Sequence, residues 1–306
     1  MGSNLGETVT KQYENEDTAA QQQRGDTPIS VAPSKNSEAQ NTSVSRKRNA
    51  FSELMAANPK QQKIDGIGQK GAAPAPKLGS DTFRSGLLSY ITNPSFFPLG
   101  TIVRETKNTV LIRDRYPKAL VHLLMLPKDA AFYNLTPLGA FNPEEEKNTS
   151  FLELMKSEAA SAAQLAASEL SRLISPYSAT CKARNDALNS DEPPRDLPGA
   201  RDFFPDIRIG VHAQPSMNTL HIHIISCDML SPALKHRKHY NSFNTNFFIS
   251  LEDFPLMEGD NLMDTAEQNN LIKSDMKCWR CGKSFGNKFK QLKDHLQEEY
   301  EAWSTI

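Results

Sequence analysis

The stretch His212-Ala-Gln-Pro-Ser-Met-Asn-Thr-Leu-His-Ile-His-Ile-Ile-Ser-Cys-Asp228 is the most informative part of the chain, because it sets two histidines on one face of a predicted strand. Side chains alternate along a strand, so His221 and His223 point the same way, while the apolar residues beside them point into a core. One imidazole of such a pair can attack an electrophile while its neighbour binds it. An ordinary polar face and half of a metal site are the alternatives for the pair alone.

Two neighbouring features favour an anionic ligand over a metal cation. His212 and Ser216 lie just ahead of the strand, and the basic tract Lys235-His-Arg-Lys-His239 follows it. Two further groups that can bind or protonate phosphate oxygens, together with a local cation excess, suit nucleophilic displacement at phosphorus. We therefore expect no metal at these histidines.

The composition of the 306-residue chain divides it into an unfolded tail and a folded part. Residues 1–80 are rich in Gln, Asn, Ser, Thr, Ala and Pro and almost free of aromatic residues, which predicts a disordered tail. Within it, Arg46-Lys-Arg48 precedes a small amphipathic island at residues 49–55. A nuclear-import signal and a docking peptide for a partner protein are the functional interpretations, and chance basic residues are the alternative.

Charge and cysteine content place few limits on function but several on location. The net charge of −1 averages over segments of opposite character. The chain has 4 cysteines, no apolar signal-peptide core and no long apolar run. These features predict a reducing, intracellular compartment, no disulfides and no membrane partner.

From residue 81 onwards the pattern predicts an α+β fold. An amphipathic helix opens it at residues 83–91, and two strands at 102–105 and 109–114 form a hairpin across Lys107-Asn108. A third strand at 120–126 carries His122, and a long helix at about 144–174 packs on the sheet, with a split near Asn148. The proline-rich segment 175–205 is predicted to be loop or a short insertion. This histidine domain extends over residues 81–255.

The C-terminal residues 256–306 predict a small zinc module. Cys278-x-x-Cys281 is followed, after thirteen residues, by His295-x-x-x-Glu299, close to the spacing of a two-cysteine, two-histidine finger. His295 and Glu299 are four apart and so share one helical face. Four protein ligands predict one structural zinc ion, whereas a redox dithiol would need a strand-then-helix context that the sequence around Cys278 lacks. Seven cations between Lys273 and Lys293 favour a nucleic-acid backbone as the partner, with a solvated lysine-bearing helix as the alternative.

With both elements in view, the chain resembles the aprataxin family, particularly its fungal branch, in which a histidine-triad hydrolase domain precedes a zinc finger. The resemblance runs from about Phe83 to Glu299, and its blocks occur in the family's order. They are Phe83–Ile91, Leu111–Lys118, His212–Met217, Leu220–Ile225, Ser231–Lys235 and His239–Phe243. Thr219 stands where the general triad motif has its first histidine.

The resemblance implies a nuclear enzyme that removes adenylate from the 5′ end of nicked or broken DNA, left there by an aborted ligation in single-strand break repair. It implies that His221 attacks the adenylate phosphorus, that His212 protonates the departing DNA phosphate, and that His223 and Ser216 bind the phosphate oxygens. It further implies an adenine clamp of Leu87 and Leu111, with Asp114 accepting from the ribose. The DNA contacts that it implies are Phe83, as a wedge on the terminal base pair, and Lys118, Lys235, Lys238 and His239.

Two other functions compete with this one. The first is a general nucleotide phosphoramidase of the same superfamily, acting on small adenylates, against which the lysine-bearing finger argues. The second is a nucleic-acid-binding regulator in which the histidines are inert and only the finger matters.

Overall fold

The sheet that carries the histidine stretch lies near the middle of the part of the chain that the computed structural model describes, residues 84–141, 146–257, 260, 262 and 264–306. The predicted tail at 1–80 and Phe83 lie outside these residues. The described residues all belong to one compact unit. None of the described helices is long and apolar enough to cross a membrane.

Six strands form a single antiparallel sheet in the order β1-β2-β3-β5-β4-β6. The predicted hairpin is present as β1 and β2, and the strand with His122 pairs directly with the strand of the histidine stretch. The predicted α+β fold class is therefore confirmed. The strands are β1 (Ile102–Glu105), β2 (Thr109–Arg113), β3 (His122–Pro127), β4 (Ile207–His212), β5 (Ile222–Ser226) and β6 (Phe248–Ser250).

The helices place the core on one face of the sheet and the candidate site on the other. The long helix is continuous from Glu146 to Ile174, without the predicted split at Asn148, and its buried face is dominated by alanine and leucine. Small side chains let it lie close against the strands that it contacts, β3, β4 and β5. The helices are α1 (Leu88–Thr92), α2 (Pro137–Phe141), α3 (Glu146–Ile174), α4 (Ala179–Leu188), α5 (Arg237–Asn244), α6 (Thr265–Leu271) and α7 (Phe289–Ser304).

The segment 175–205 contains helix α4, which the sequence pattern does not predict. The Ser178 hydroxyl caps it by accepting a hydrogen bond from the Cys181 N–H at 3.3 Å. The prolines of the segment lie at 176 and from 193 onwards, so residues 179–188 are free of helix breakers. A proline-rich average over the whole segment therefore hides a ten-residue helix.

The C-terminal module consists of the short hairpin β7 (Met276–Lys277) and β8 (Ser284–Gly286), followed by α7. The end of α7 is fastened to the chain ahead of β4 by Arg201. Its guanidinium lies 4.8 Å from the ring centroid of Phe203 and 4.7 Å from that of Trp303. It also donates to the Trp303 carbonyl at 2.6 Å and to Asp206 at 2.9 Å. The division into domains at 255 and 256 stays a prediction, and these contacts cross it.

Gly210 allows β6 to reach the sheet edge next to the histidines. A Cβ atom on Gly210 would lie 2.4 Å from the Ile249 carbonyl oxygen and 2.8 Å from the Phe248 ring. No side chain fits at that distance, so glycine is required here for close approach.

Candidate active site and zinc centre

Four histidines meet on the face of the sheet opposite α3. His122 comes from β3 and His212 ends β4, while His221 immediately precedes β5 and His223 lies within it. The ring of His223 is central, with its centroid 5.2 Å from that of His122, 4.5 Å from that of His212 and 4.9 Å from that of His221. The strand register brings them together, because Gly210 and Leu124 both lie opposite His223. The predicted trio is thus joined by His122, to which the sequence assigned no role.

Hydrogen bonds fix which nitrogen of His122 carries the proton. The backbone N–H of Lys118 donates to His122 Nδ1 at 3.1 Å, so this nitrogen must offer a lone pair. In the neutral ring the proton then lies on Nε2, which is 3.0 Å from His223 Nδ1. His122 therefore donates to His223, and the proton of His223 is placed on its own Nε2.

His221 has the opposite arrangement. Its Nδ1 lies 2.8 Å from the carbonyl oxygen of Thr219, which can only accept, so Nδ1 carries the proton. The lone pair of neutral His221 is consequently on Nε2. The site therefore presents a bare nitrogen on His221 next to an N–H donor on His223, which is the combination that attack on a phosphoryl group needs.

Burial keeps all four rings neutral in the free protein. It lowers the pKa of His122 to about 4, although the Asp114 carboxylate, 3.4 Å away, acts in the opposite direction. Burial likewise lowers the pKa of His212 to about 3 and the pKa values of His221 and His223. A neutral imidazole is a nucleophile, whereas a protonated one is not.

Among the fully buried imidazole nitrogens of the described residues, two have no hydrogen-bond partner. Nε2 of His212 and Nε2 of His223 are both buried without a hydrogen bond. Buried polar atoms are normally satisfied, so an unsatisfied pair in one cluster indicates a position for a ligand. Because His122 donates to Nδ1 of His223, the proton of His223 lies on Nε2. An N–H at this position favours an anion as the ligand.

The other predicted active-site residues lie at varying distances from the cluster. Asp114 accepts from the Tyr116 N–H at 2.7 Å with one carboxylate oxygen, while the other faces His122. Lys118 is close enough that its charge lowers the pKa of His122, His212 and His223. Ser216 is exposed on the loop between β4 and β5 and makes no hydrogen bond within the described residues.

Leu87 and Leu111 do not lie together, contrary to the predicted adenine clamp. Leu87 packs in a cluster on the histidine side with Val110, Ile112, Leu124 and Leu126. Leu111 lies between two of those residues on β2 and therefore points to the opposite face, where it is fully buried. The apolar wall next to the histidines is built from Leu87 and Ile112, with Tyr90 and Met217 packed against it.

The predicted DNA-binding residues within the described chain gather at one rim of the site. Burial and, to a smaller extent, the nearby charge of Lys235 lower the pKa of Lys118. The backbone N–H of Lys235 donates to His239 Nδ1 at 3.3 Å. Lys235 and Lys238 are exposed. Among the predicted contacts, Phe83 lies outside the described residues.

The four predicted zinc ligands converge. One ligand atom from each of Cys278, Cys281, His295 and Glu299 lies within 4.8 Å of the others. Cys281 Sγ is 3.1 Å from His295 Nε2, and that nitrogen is 3.2 Å from Glu299 Oε1. Two thiolates, an imidazole and a carboxylate in this spacing fit a tetrahedral zinc ion.

Arg280 identifies Glu299 as the carboxylate ligand among its acidic neighbours. The Arg280 guanidinium donates to Glu299 Oε2 at 2.7 Å, which lowers the pKa of that carboxyl and leaves Oε1 facing His295. Glu298 instead approaches the other ring nitrogen of His295 at 3.6 Å. Metal ligands are commonly held by such outer hydrogen bonds.

Comparison with known proteins gives consistent matches over the described region. The family described as C2HE / C2H2 / C2HC zinc-binding finger matches residues 244–302, and the family described as scavenger mRNA decapping enzyme C-term binding matches residues 198–239. An aprataxin-like protein of Schizosaccharomyces pombe is 34% identical over 230 residues, covering 74% of this chain and 85% of that protein. One of Saccharomyces cerevisiae is 34% identical over 225 residues, covering 72% and 97%.

Solved structures agree with the sequence matches. The crystal structure of the aprataxin ortholog Hnt3 in complex with DNA aligns with a TM-score of 0.57 at 32% identity, covering 72% of this chain and 96% of that one. The structure of Hnt3 from Schizosaccharomyces pombe aligns with a TM-score of 0.56 at 32% identity, covering 73% and 96%.

Proposed function

The chain belongs to the aprataxin family, and from this membership we propose that it is a DNA 5′-adenylate hydrolase. Membership supports a DNA-binding hydrolase. The finer proposal is that the enzyme removes AMP, held by a 5′-5′ pyrophosphate, from DNA ends left by abortive ligation in single-strand break repair. The observation that carries it is the pairing of a bare Nε2 on His221 with an N–H on His223 Nε2.

The first chemical step is attack by His221 Nε2 on the adenylate phosphorus. The new P–N bond forms as the P–O bond to the DNA 5′-phosphate breaks, and the DNA leaves with its 5′-phosphate restored. The ring of His221 becomes cationic, with its Nδ1 proton still donated to the Thr219 carbonyl. That carbonyl therefore stabilises the charge that develops on the nucleophile.

The neighbouring histidines serve the phosphate oxygens. His223 donates from Nε2 to the charge that builds on them, and the Ser216 hydroxyl binds the same oxygens. His212 protonates the departing DNA phosphate. Burial leaves that ring neutral in the free protein, so the arriving pyrophosphate anion has to raise its pKa before it can act as an acid.

In the second step water gives a proton to His212, attacks the same phosphorus and breaks the P–N bond, so that His212 regains the proton that it donated in the first step. AMP is released, and His221 returns to its neutral form. The apolar wall of Leu87 and Ile112 would hold the adenine, with Asp114 next to the ribose. The DNA backbone would be bound by the zinc module and by the rim residues Lys118, Lys235, Lys238 and His239. The enzyme would act in the nucleus.

Zinc at Cys278, Cys281, His295 and Glu299 would supply structure to the module rather than reactivity. All four positions are taken by side chains, which leaves no site for substrate. The lysines of the module would position the DNA through phosphate contacts.

The decisive experiment is incubation of the purified protein with 5′-adenylated nicked DNA, followed by quenching in alkaline denaturant, which preserves a P–N bond, and mass spectrometry. We expect AMP, a 5′-phosphate end and a protein adduct of one AMP mapped to His221. His221→Ala should bind nicked DNA as before and release no AMP. If wild-type protein released no AMP from any adenylated end, the proposal would be wrong.

A further inference from the structure

Helix α5 connects the zinc module to the histidine cluster through a small number of side chains. It has only eight residues, Arg237–Asn244, and a helix of this length has little stability of its own. Its position is therefore set by what it contacts. Tyr240, Asn241 and Phe243 are its buried residues.

Tyr240 attaches the helix to the backbone on both sides of a zinc ligand. Its hydroxyl donates to the Lys277 carbonyl at 2.8 Å and accepts from the Trp279 N–H at 2.9 Å, so the two bonds bracket Cys278. The next residue, Asn241, donates to the Ser274 carbonyl at 2.7 Å. The segment Cys278–Cys281 is called the zinc knuckle below. Its geometry and that of α5 therefore depend on each other.

Phe243, one helical turn later, attaches α5 to the histidines. Its ring centroid lies 5.3 Å from that of His122, 4.6 Å from that of His212 and 5.1 Å from that of His223. The contacts with His122 and His223 are edge-to-face, at 87° and 88°, an arrangement that is sensitive to rotation of either ring.

Arg208, on β4, binds the carboxyl-terminal end of the same helix. It donates to the Phe243 carbonyl at 2.7 Å, and its guanidinium is buried on the sheet face that carries His212 and His223. A cation at the carboxyl end of a helix is favourable. Phe243 is thus held between the sheet and the knuckle, with the imidazoles against its ring.

We propose that Tyr240 is a positioning residue through which the zinc knuckle sets the geometry of the catalytic histidines. Zinc then contributes to the chemistry on AMP, in addition to its part in DNA binding. When the ligands are not held by metal, the segment around Cys278 loses the order that metal binding provides, and Tyr240 loses its two fixed partners. Small displacements of reacting groups have large effects on rate, so the change reaches the chemical step. This proposal rests on the proposed function.

The test uses a substrate too small to touch the zinc module, adenosine 5′-phosphoramidate. Tyr240→Phe keeps the ring and removes both hydrogen bonds to the knuckle. We expect its kcat to fall about tenfold, with KM and the affinity for unadenylated nicked DNA unchanged. Tyr300→Phe is the matched control, since Tyr300 is also buried in the zinc module and its hydroxyl makes no hydrogen bond within the described residues.

A second variant and a second readout keep the test independent of folding and of the substrate. Phe243→Leu should lower kcat in the same way from the other end of the helix. In wild-type protein, removal of zinc by a chelator, checked by metal analysis, should shift the ¹⁵N resonances of His122 and His223. In Tyr240→Phe the same treatment should shift them less, because the connection is already broken.

Two results would overturn the proposal. One is a Tyr240→Phe protein with wild-type kcat on the phosphoramidate. The other is zinc removal that weakens DNA binding while leaving the imidazole resonances in place. If instead the wild type turned over no adenylate at all, the proposed function would fail, while the resonance experiment would still decide whether the knuckle and the histidines are coupled.

Discussion

His122 Nε2 lies 3.0 Å from His223 Nδ1, although the two residues are 101 positions apart in the chain. The direction of this hydrogen bond is set by the Lys118 backbone N–H, which donates to Nδ1 of His122. A main-chain donor thus determines, through one intervening ring, which nitrogen of His223 carries a proton. The protein needs no histidine at position 219 for this purpose.

The tautomers themselves are the first prediction. At pH 7 the long-range ¹H–¹⁵N spectrum should show His122 and His223 protonated on Nε2 and His221 protonated on Nδ1, because these are the forms that their partners require. His122→Asn removes the imidazole N–H that donates to His223, and kcat on adenylated DNA should fall about a hundredfold. Exposed His236 provides the control, since His236→Asn should keep kcat. Observation of Nδ1–H on His122 would contradict the assignment.

Acidification should destabilise the protein well above the pKa of its carboxylates. Burial depresses the pKa of His122 from 6.5 to about 4, so the unfolded chain binds a proton that the folded chain does not between these values. The stability is complete above pH 6.5 and is lost as the pH falls towards 4, by at most about 1.4 kcal/mol per pH unit for each such histidine. Urea unfolding at pH 7, 6 and 5 measures the slope. His122→Asn should reduce it, and an unchanged slope would count against neutral burial of this ring.

The zinc centre predicts different outcomes for two adjacent glutamates. Glu299→Ala removes a ligand and should weaken zinc binding about 10- to 100-fold. Glu298→Ala, one residue away, should leave it unchanged, because Glu298 faces the nitrogen of His295 that points away from the ligand atoms. Glu299→His replaces the carboxylate with an imidazole nitrogen, which zinc also accepts, and should keep most of the affinity. Competition with a chromophoric chelator measures all three, and equal loss in both alanine variants would contradict the assignment of Glu299.

Adjacent residues on β2 should separate adenine binding from core packing. Ile112→Ala opens the wall next to the histidines and should raise KM for adenylates severalfold, at the level of lost apolar contact. Leu111→Ala faces the other side of the strand and should leave KM unchanged, while lowering the free energy of unfolding by about 2 to 5 kcal/mol. Steady-state kinetics and denaturant unfolding of the pair test the assignment, and a raised KM in the Leu111 variant alone would reverse it.

Gly210→Ala should damage both the fold and the site. The added Cβ would meet the Ile249 carbonyl at 2.4 Å, so β6 has to move, at about 1 to 3 kcal/mol or more. Gly199→Ala is the control, because a Cβ there meets nothing within 4 Å. Thermal unfolding of both variants decides the matter, and equal melting temperatures would show that the edge of the sheet adapts freely.

Much of this arrangement follows from local sequence pattern. The alternation around His221 and His223 predicts a strand, Lys107-Asn108 predicts the hairpin, and the spacing from Cys278 to Glu299 predicts the zinc ligands. Each depends on residues close together in the chain or on a fixed ligand geometry.

The rest depends on long-range register, which no local pattern contains. His122 joins the site because β3 pairs with β5. The pairing of β2 with β3 then decides that Ile112 rather than Leu111 faces the histidines. A shift of one residue exchanges the two faces of a strand, so a face assigned from one strand alone carries no information about its neighbours. Helix α4 is obscured for a different reason, because prolines on either side of it dominate the composition of the segment.

The Arg201 guanidinium lies between Phe203 and Trp303 and so joins the end of α7 to the chain ahead of β4. Trp303 lies in the last turn of α7, so cutting the protein near residue 255 would separate it from Arg201 and Phe203. We therefore expect calorimetry to record one cooperative melting transition for the whole described unit. Proteases should spare the junction, and neither half should be obtainable as a well-behaved soluble fragment.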